Sequence, residues 1–179
     1  MTGITVEAHT VGLESLEGAL LRMANLGQRP RPIWDAIGQY GESSTRLRFK
    51  KQIDPEGKRW IPSRRSQAFG PGQTLIQKAR LLRSISHSSD NNGASWGTNV
   101  KYAPTHQFGA VIKPKSGGAL RFKIPGVGFV TVKKVTIPAR AFVGVNPEDG
   151  REIESIAAEV VYNAGRNPSQ GYSVGTGGD

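Results

Sequence analysis

Three histidines, His9, His87 and His106, are the residues best suited to acid–base or metal chemistry, and they lie far apart in the 179-residue chain. The sequence has no cysteine, which rules out disulfides and thiolate metal sites. A metal centre would therefore need the histidines to converge with carboxylates. His106 has no such partner nearby, because no Asp or Glu occurs between Asn91 and Pro147. Nucleophilic catalysis needs a hydroxyl beside a histidine that an acid orients. Thr105 and His106 are adjacent in sequence, but neighbours in a chain seldom face each other. The carboxylate pairs Asp54/Glu56 and Glu148/Asp149 fall in a turn and at a helix start, where each has a structural use. Gly70-Pro71-Gly72 is not followed by Gly-Lys-Ser/Thr, so it is no phosphate loop. The expectation is a protein without enzymatic activity, cofactor or metal.

Charge offers a different chemistry. The chain carries a net +10, unevenly placed: residues 1–45 sum to −2, residues 46–147 to +16 and residues 148–179 to −4. A basic block between acidic ends attracts nucleic acid, and equally the acidic surface of a neighbouring subunit. Lys50, Lys51, Lys58, Arg59, Arg64 and Arg65 cluster with Trp60 and Phe69 interleaved. Cations with aromatics suit single-stranded nucleic acid, where rings stack bases and charges follow phosphates. No known nucleic-acid module accompanies them, and the aromatics are too widely spaced for a continuous platform. These six residues are candidates for contact with DNA or with an acidic partner. A second basic set, Lys113, Lys115, Arg121, Lys123, Lys133 and Lys134, lies in a stretch of β character.

The elements that must hold these residues follow from periodicity. Ile4, Val6 and Ala8 alternate as a short strand. Leu13, Leu16, Leu20 and Met23 form one stripe of an amphipathic helix ended by Gly27. A second helix begins near Pro32 and carries Trp34, Ile37, Tyr40, Leu47 and Phe49. Asp54-Pro55-Glu56-Gly57 is a turn. Residues 61–73 show no periodicity and read as a mobile basic loop, and 75–82 as briefly helical. Asp90-Asn91-Asn92-Gly93 turns one short strand into another.

Residues 110–136 read as a long β-hairpin, and Asn146 caps a last helix from Pro147 to Ala164 with Ile153, Ile156, Ala157, Val160 and Val161 inward. Residues 165–179 are rich in glycine and read as a flexible arm that becomes ordered against a partner. The expected fold class is α+β: an antiparallel sheet with a long β-hairpin, packed by two to four helices, in one domain over 1–164 with an extended C-terminal tail. No apolar run approaches the ~20 residues of a membrane span. The opening MTGITVEAHTVG lacks the basic-then-apolar order of a secretory signal. Only 36% of the residues are hydrophobic, so neighbours in an assembly are expected to supply part of the stability.

Four segments, in order, carry a family resemblance. Phe49–Pro62 reads FKKQIDPEGKRWIP, an acid-Pro-x-Gly turn followed by a basic residue and Trp. Leu75–Ile85 ends in LLRSI; Trp96-Gly97-Thr98 is followed by Tyr102-Ala103-Pro104-Thr105-His106-Gln107-Phe108-Gly109; Ile137–Gly144 reads IPARAFVG. Together they resemble the phage virion morphogenesis, or tail-completion, family of Mu-like phages. Here Ala79-Arg80 stand where that family usually has Thr-Gly, and Ala141 where it has Pro. The resemblance implies a virion protein at the neck or tail end, made in the host bacterial cytoplasm, that completes the tail and joins it to the head. It further implies a homo-oligomeric ring, preferably a hexamer, contacting other neck and tail proteins and no membrane.

Trp60, Trp96, Tyr102, His106, Gln107, Phe108 and Arg140 are then expected to lock a scaffold. His106 and Gln107 would satisfy backbone groups, Tyr102 and Phe108 would pack, and Arg140 would pair with a carboxylate. The basic hairpin would reach acidic surfaces of neighbouring subunits. Alternatively, part of the basic block would face the packaged double-stranded DNA. A sequence-independent nucleic-acid-binding protein is the competing reading.

Overall fold

The computed structural model describes residues 3–8, 14–25, 29–69, 74–76, 78–124 and 127–166. His9, Leu13, Gly27, the Gly70-Pro71-Gly72 run and the arm beyond Arg166 therefore lie outside the described residues. The class is α+β with antiparallel ladders, as expected. Its elements are β1 Ile4–Ala8, α1 Glu14–Asn25, α2 Arg31–Lys51, α3 Arg64–Phe69, α4 Arg80–Arg83, β2 Ser86–Ser89 and β3 Ala94–Thr98. There follow α5 Ala103–Phe108, β4 Ala110–Ile112, β5 Leu120–Ile124, β6 Gly128–Val132, β7 Val135–Ile137 and α6 Pro147–Arg166. The first three strands form one sheet in the order β1-β3-β2. Backbone proximity divides the chain into two compact units.

One unit comprises Glu7–Gly41, His87–Trp96 and the chain from Asn146 on. Here α1 buries Leu16, Ala19 and Met23, the three- and four-residue spacing of a single helical face, and it packs on α6. From α6 the buried side chains are Ile153, Ala157, Val160 and Val161. The start of α6 is a reciprocal cap. Asp149 N–H donates to Asn146 Oδ1 (2.7 Å) and Asn146 N–H donates to Asp149 Oδ2 (2.9 Å). Two otherwise orphaned donors of the helix start are thereby satisfied. Asp149 also accepts the Tyr40 hydroxyl at 2.9 Å. A Cβ at Gly41 would fall inside the Trp96 indole, so only glycine lets α2 lie against this ring.

The other unit comprises the chain up to Val6, Glu42–Ser86 and Gly97–Val145. Its core is an aromatic cluster in which Phe49 meets Trp60 edge-on at 5.3 Å and Phe142 at 5.1 Å. Asp54 closes the DPEG turn: its Oδ1 accepts Lys58 N–H at 2.7 Å, and Gly57 adopts φ 82°. Over 61–73 the expected loop contains a helix instead. Ser63 caps α3, its Oγ accepting Ser66 N–H at 3.0 Å, while the Thr74 hydroxyl donates to Ser66 Oγ at 2.8 Å. The expected helix over 75–82 shrinks to the single turn of α4, entered through Ala79 at φ 50°.

The hairpin of 110–136 is interrupted. β4 pairs β7 antiparallel, and β5 pairs β6 antiparallel, as two separate short ladders. Gly117 (φ 75°) and Gly118 (φ 81°) take left-handed conformations between β4 and β5, which no strand can continue through.

Candidate functional site, a locked segment and a cationic hairpin

The hydrogen-bond lock is built on Gln107. α5 carries Pro104 in its first turn, where the missing N–H costs nothing, and is followed by Gly109 at its C-cap with φ 75°. That short helix aims Gln107 at the irregular segment 141–144. Its Nε2 donates to Val143 O at 2.7 Å, and its Oε1 accepts Phe142 N–H at 3.0 Å and Val143 N–H at 3.2 Å. One side-chain amide thus satisfies three backbone groups. His106 contributes through its backbone, not its ring: its carbonyl accepts Arg140 N–H at 2.7 Å.

The His106 ring itself is half-buried, and Nδ1 has no hydrogen-bond partner among the described residues. Burial, and then the charge of Arg140, hold its pKa below the ordinary value, so the ring favours its neutral form. This corrects the expectation that the imidazole satisfies backbone groups.

Three further expectations are corrected. Arg140 is buried, but its Nε donates to the Ile61 carbonyl at 2.7 Å in place of a carboxylate. Phe108 is 72% exposed and does not pack. Tyr102 is 41% exposed and packs only in part, meeting the His106 ring in a T-shaped contact with centroids 5.9 Å apart. Trp60 and Trp96 are both buried as expected. Trp60 Nε1 donates to Ala141 O at 2.8 Å, which ties the FKKQIDPEGKRW segment to IPARAF. Two sequence segments some eighty residues apart are therefore one scaffold.

Of the first basic set, Lys50, Lys51, Lys58, Arg59 and Arg64 are exposed, whereas Arg65 is half-buried and makes a contact within the chain. Trp60 is spent on the core, so it cannot stack a base there, and the Phe69 side chain lies outside the described residues. The interleaved-aromatic reading of this set therefore fails at Trp60.

The second set is brought together differently. Lys113, Lys115, Arg121, Lys123, Lys133 and Lys134 are all exposed. Among the described residues, none of them forms an ion pair. The register sets Arg121 opposite Thr131 and Lys123 opposite Phe129, so these four share one face of β5–β6. Phe129 is 69% exposed, with the Arg121 guanidinium 5.3 Å and the Lys123 ammonium 6.0 Å from its ring centre. The place of Phe129 among cations follows from the register, in which Ile124 pairs with Gly128 and Lys123 with Phe129.

The described residues hold no group of three His, Asp or Glu able to gather a metal, and no helix long and apolar enough to cross a membrane. The lock and the hairpin fall within a single family match: the model of the phage virion morphogenesis family covers residues 11–162. The chain belongs to that family. It is also 28% identical over 148 residues to "Mu-like prophage FluMu G protein 2" of Haemophilus influenzae, a match spanning 83% of this chain and 90% of the relative. No solved structure matches it. Membership in the family gives the chain a structural role in phage virion morphogenesis. The four segments quoted from the sequence thus fall within one family match; Trp60, Gln107 and Arg140 bind the first, third and fourth together, and a hydrogen bond between the Ser84 and Thr98 hydroxyls (2.6 Å) links the second to the third.

Proposed function

We propose that this chain is a non-enzymatic virion component of the phage neck or tail end, which completes the tail and joins it to the head as one subunit of a homo-oligomeric ring. What supports the reading is a tightly bonded scaffold that bears six exposed cations without ion pairs among the described residues, two of them, Arg121 and Lys123, beside the exposed Phe129. An enzyme concentrates such bonding around a reacting cavity, whereas here it supports a surface. A hexamer remains the preferred ring, together with contacts to other neck and tail proteins. The mass of the purified protein, measured alone and after mixing with tail tubes, tests the proposal. A discrete multimer in either sample supports it, and a monomer in both sinks it.

A sequence-independent nucleic-acid-binding role has one observation of its own. Phe129 between Arg121 and Lys123 is a single stacking site with phosphate-binding flanks. A gel shift on duplex and single-stranded DNA at physiological salt decides it, since absence of any shift removes this reading.

A further inference from the structure

We propose that the cationic face of the β5–β6 hairpin docks onto the exposed acidic stripe of α6 on a second copy of this chain. The inference rests on the ring reading and names the surfaces that would join its subunits. On the hairpin, Phe129 is a large exposed apolar group with Arg121 and Lys123 around its rim. An aromatic centre surrounded by charge is how binding energy is distributed at a protein interface. The reverse face, with Leu120, Phe122, Ile124, Val130 and Val132, carries no charge, so the electrostatic preference is one-sided.

The complementary surface is on α6. Glu148, Glu152 and Glu159 are all exposed and recur at helical spacing along the side opposite its buried Ile153, Ala157 and Val160. Ser155, also exposed, lies between Glu152 and Glu159 and leaves room there for a ring. None of the three carboxylates has an ion-pair partner among the described residues. Arg151 is the cation beside them; Arg166, at the far end, is turned onto Tyr162, donating to its hydroxyl at 2.9 Å.

The spacings agree. Glu148 and Glu152, one turn apart, are separated by about 6 Å along the helix. Arg121 and Lys123, two residues apart on a strand, are separated by about 6.8 Å. With the cations on these carboxylates, Phe129, paired with Lys123, lies against the same exposed side of the helix. Because the two patches differ, the contact is heterologous and propagates head to tail, closing into a ring if the rotation permits. The segment charges of +16 over 46–147 and −4 over 148–179 favour the same pairing between copies.

Sedimentation of the full chain at about 0.15 M salt tests this with two charge-reversed variants, Arg121→Glu/Lys123→Glu and Glu148→Lys/Glu152→Lys. All four side chains are exposed, and circular dichroism checks that each variant folds. Each variant alone should self-associate about a hundredfold more weakly than the wild type. An equimolar mixture should regain the oligomer, because each reversed hairpin then meets a reversed helix. Failure of the mixture to recover overturns the pairing, as does an oligomer indifferent to either reversal; both leave the ring reading standing. A wild type that stays monomeric with and without tail tubes removes the ring reading itself. A hairpin variant that keeps its mass but loses a DNA shift assigns the hairpin to DNA and overturns the proposal.

Discussion

Replacing Gln107 by methionine keeps the length and apolar bulk of the side chain and removes its amide. Three backbone groups then lose their partner: Val143 O, Phe142 N–H and Val143 N–H. Phe142 and Val143 are both buried, so water reaches these groups poorly. An unsatisfied buried polar group costs roughly 1–3 kcal/mol. The two N–H groups share one acceptor, and Gln107 is itself only half-buried, so the full threefold sum is an overestimate. A loss of about 3–4 kcal/mol is expected, a large part of the roughly 5–15 kcal/mol that holds a domain folded. For a chain of this size it lowers the Tm by roughly 10 °C.

Equilibrium urea unfolding is the assay, followed by tryptophan fluorescence, to which Trp60 in the same unit reports. The midpoint should fall with the slope unchanged. Gln107→Glu keeps an acceptor for both N–H groups and loses only the donor to Val143, so it should lie between wild type and Gln107→Met near neutral pH. A Gln107→Met midpoint displaced by less than the equivalent of about 0.5 kcal/mol, the range of neutral surface substitutions, would refute the idea that this amide locks the scaffold.

Asn146→Ala removes one half of the cap at α6 and should cost about 1 kcal/mol, with Asn146→Ser recovering most of it in the same unfolding assay. His106 sets a pH dependence. Its pKa is lowered from 6.5 in the folded state, so the unfolded chain binds more protons once the pH falls through that value. The stability it contributes is complete above 6.5 and is lost as the pH drops toward the folded value. Between about pH 7 and pH 5.5 the wild-type Tm should therefore fall further than that of His106→Gln; parallel curves would show that burial of the ring is immaterial. Finally, amides of β5 and β6 should exchange rapidly in the isolated protein and become protected on assembly, whereas strong protection before assembly would mean the hairpin is already covered.

Much of this fold was readable because its long elements announce themselves by period. Leu16 and Met23 in α1, Trp34 and Ile37 in α2, and Ile153, Ala157 and Val160 in α6 all came from apolar spacing, and each is buried. α3 was not readable in that way, because RRSQAF offers no apolar face; the cause of its helix is the Ser63 cap, a polar signal easily taken for loop composition. The partner of Arg140 was equally hidden. A guanidinium suggests a carboxylate by charge, but the Ile61 carbonyl that takes its place has no sequence signature. Phe108 misled for the opposite reason: an aromatic inside a dense motif reads as core, yet the helix it closes turns it outward. Gln107 was expected to satisfy backbone groups, and it does, because an amide has both a donor and an acceptor to offer neighbouring backbone.

The contrast between the two ladders bears on function. β4 and β7 adjoin the lock, and Gly109 lets the chain pass so close to Ile137 and Ala139 that a Cβ there would come within 2.9 Å of the backbone. β5 and β6 have five residues each and, among the described residues, pair only with one another. A two-stranded hairpin of that length is marginal in water on its own. Evenly distributed stability would have buried Phe129 and paired the lysines. Instead, amide, indole and guanidinium bonds are concentrated around segment 139–144, while the hairpin keeps an exposed ring and free cations. In the proposed ring such a surface would gain its missing contacts from a neighbouring copy, and its folding and docking would draw on the same free energy. Loss of the Gln107 lock should accordingly weaken assembly as well as stability, whereas reversal of Arg121 and Lys123 should weaken assembly alone. That separation is the property expected of a scaffold that presents a contact surface and takes no part in it.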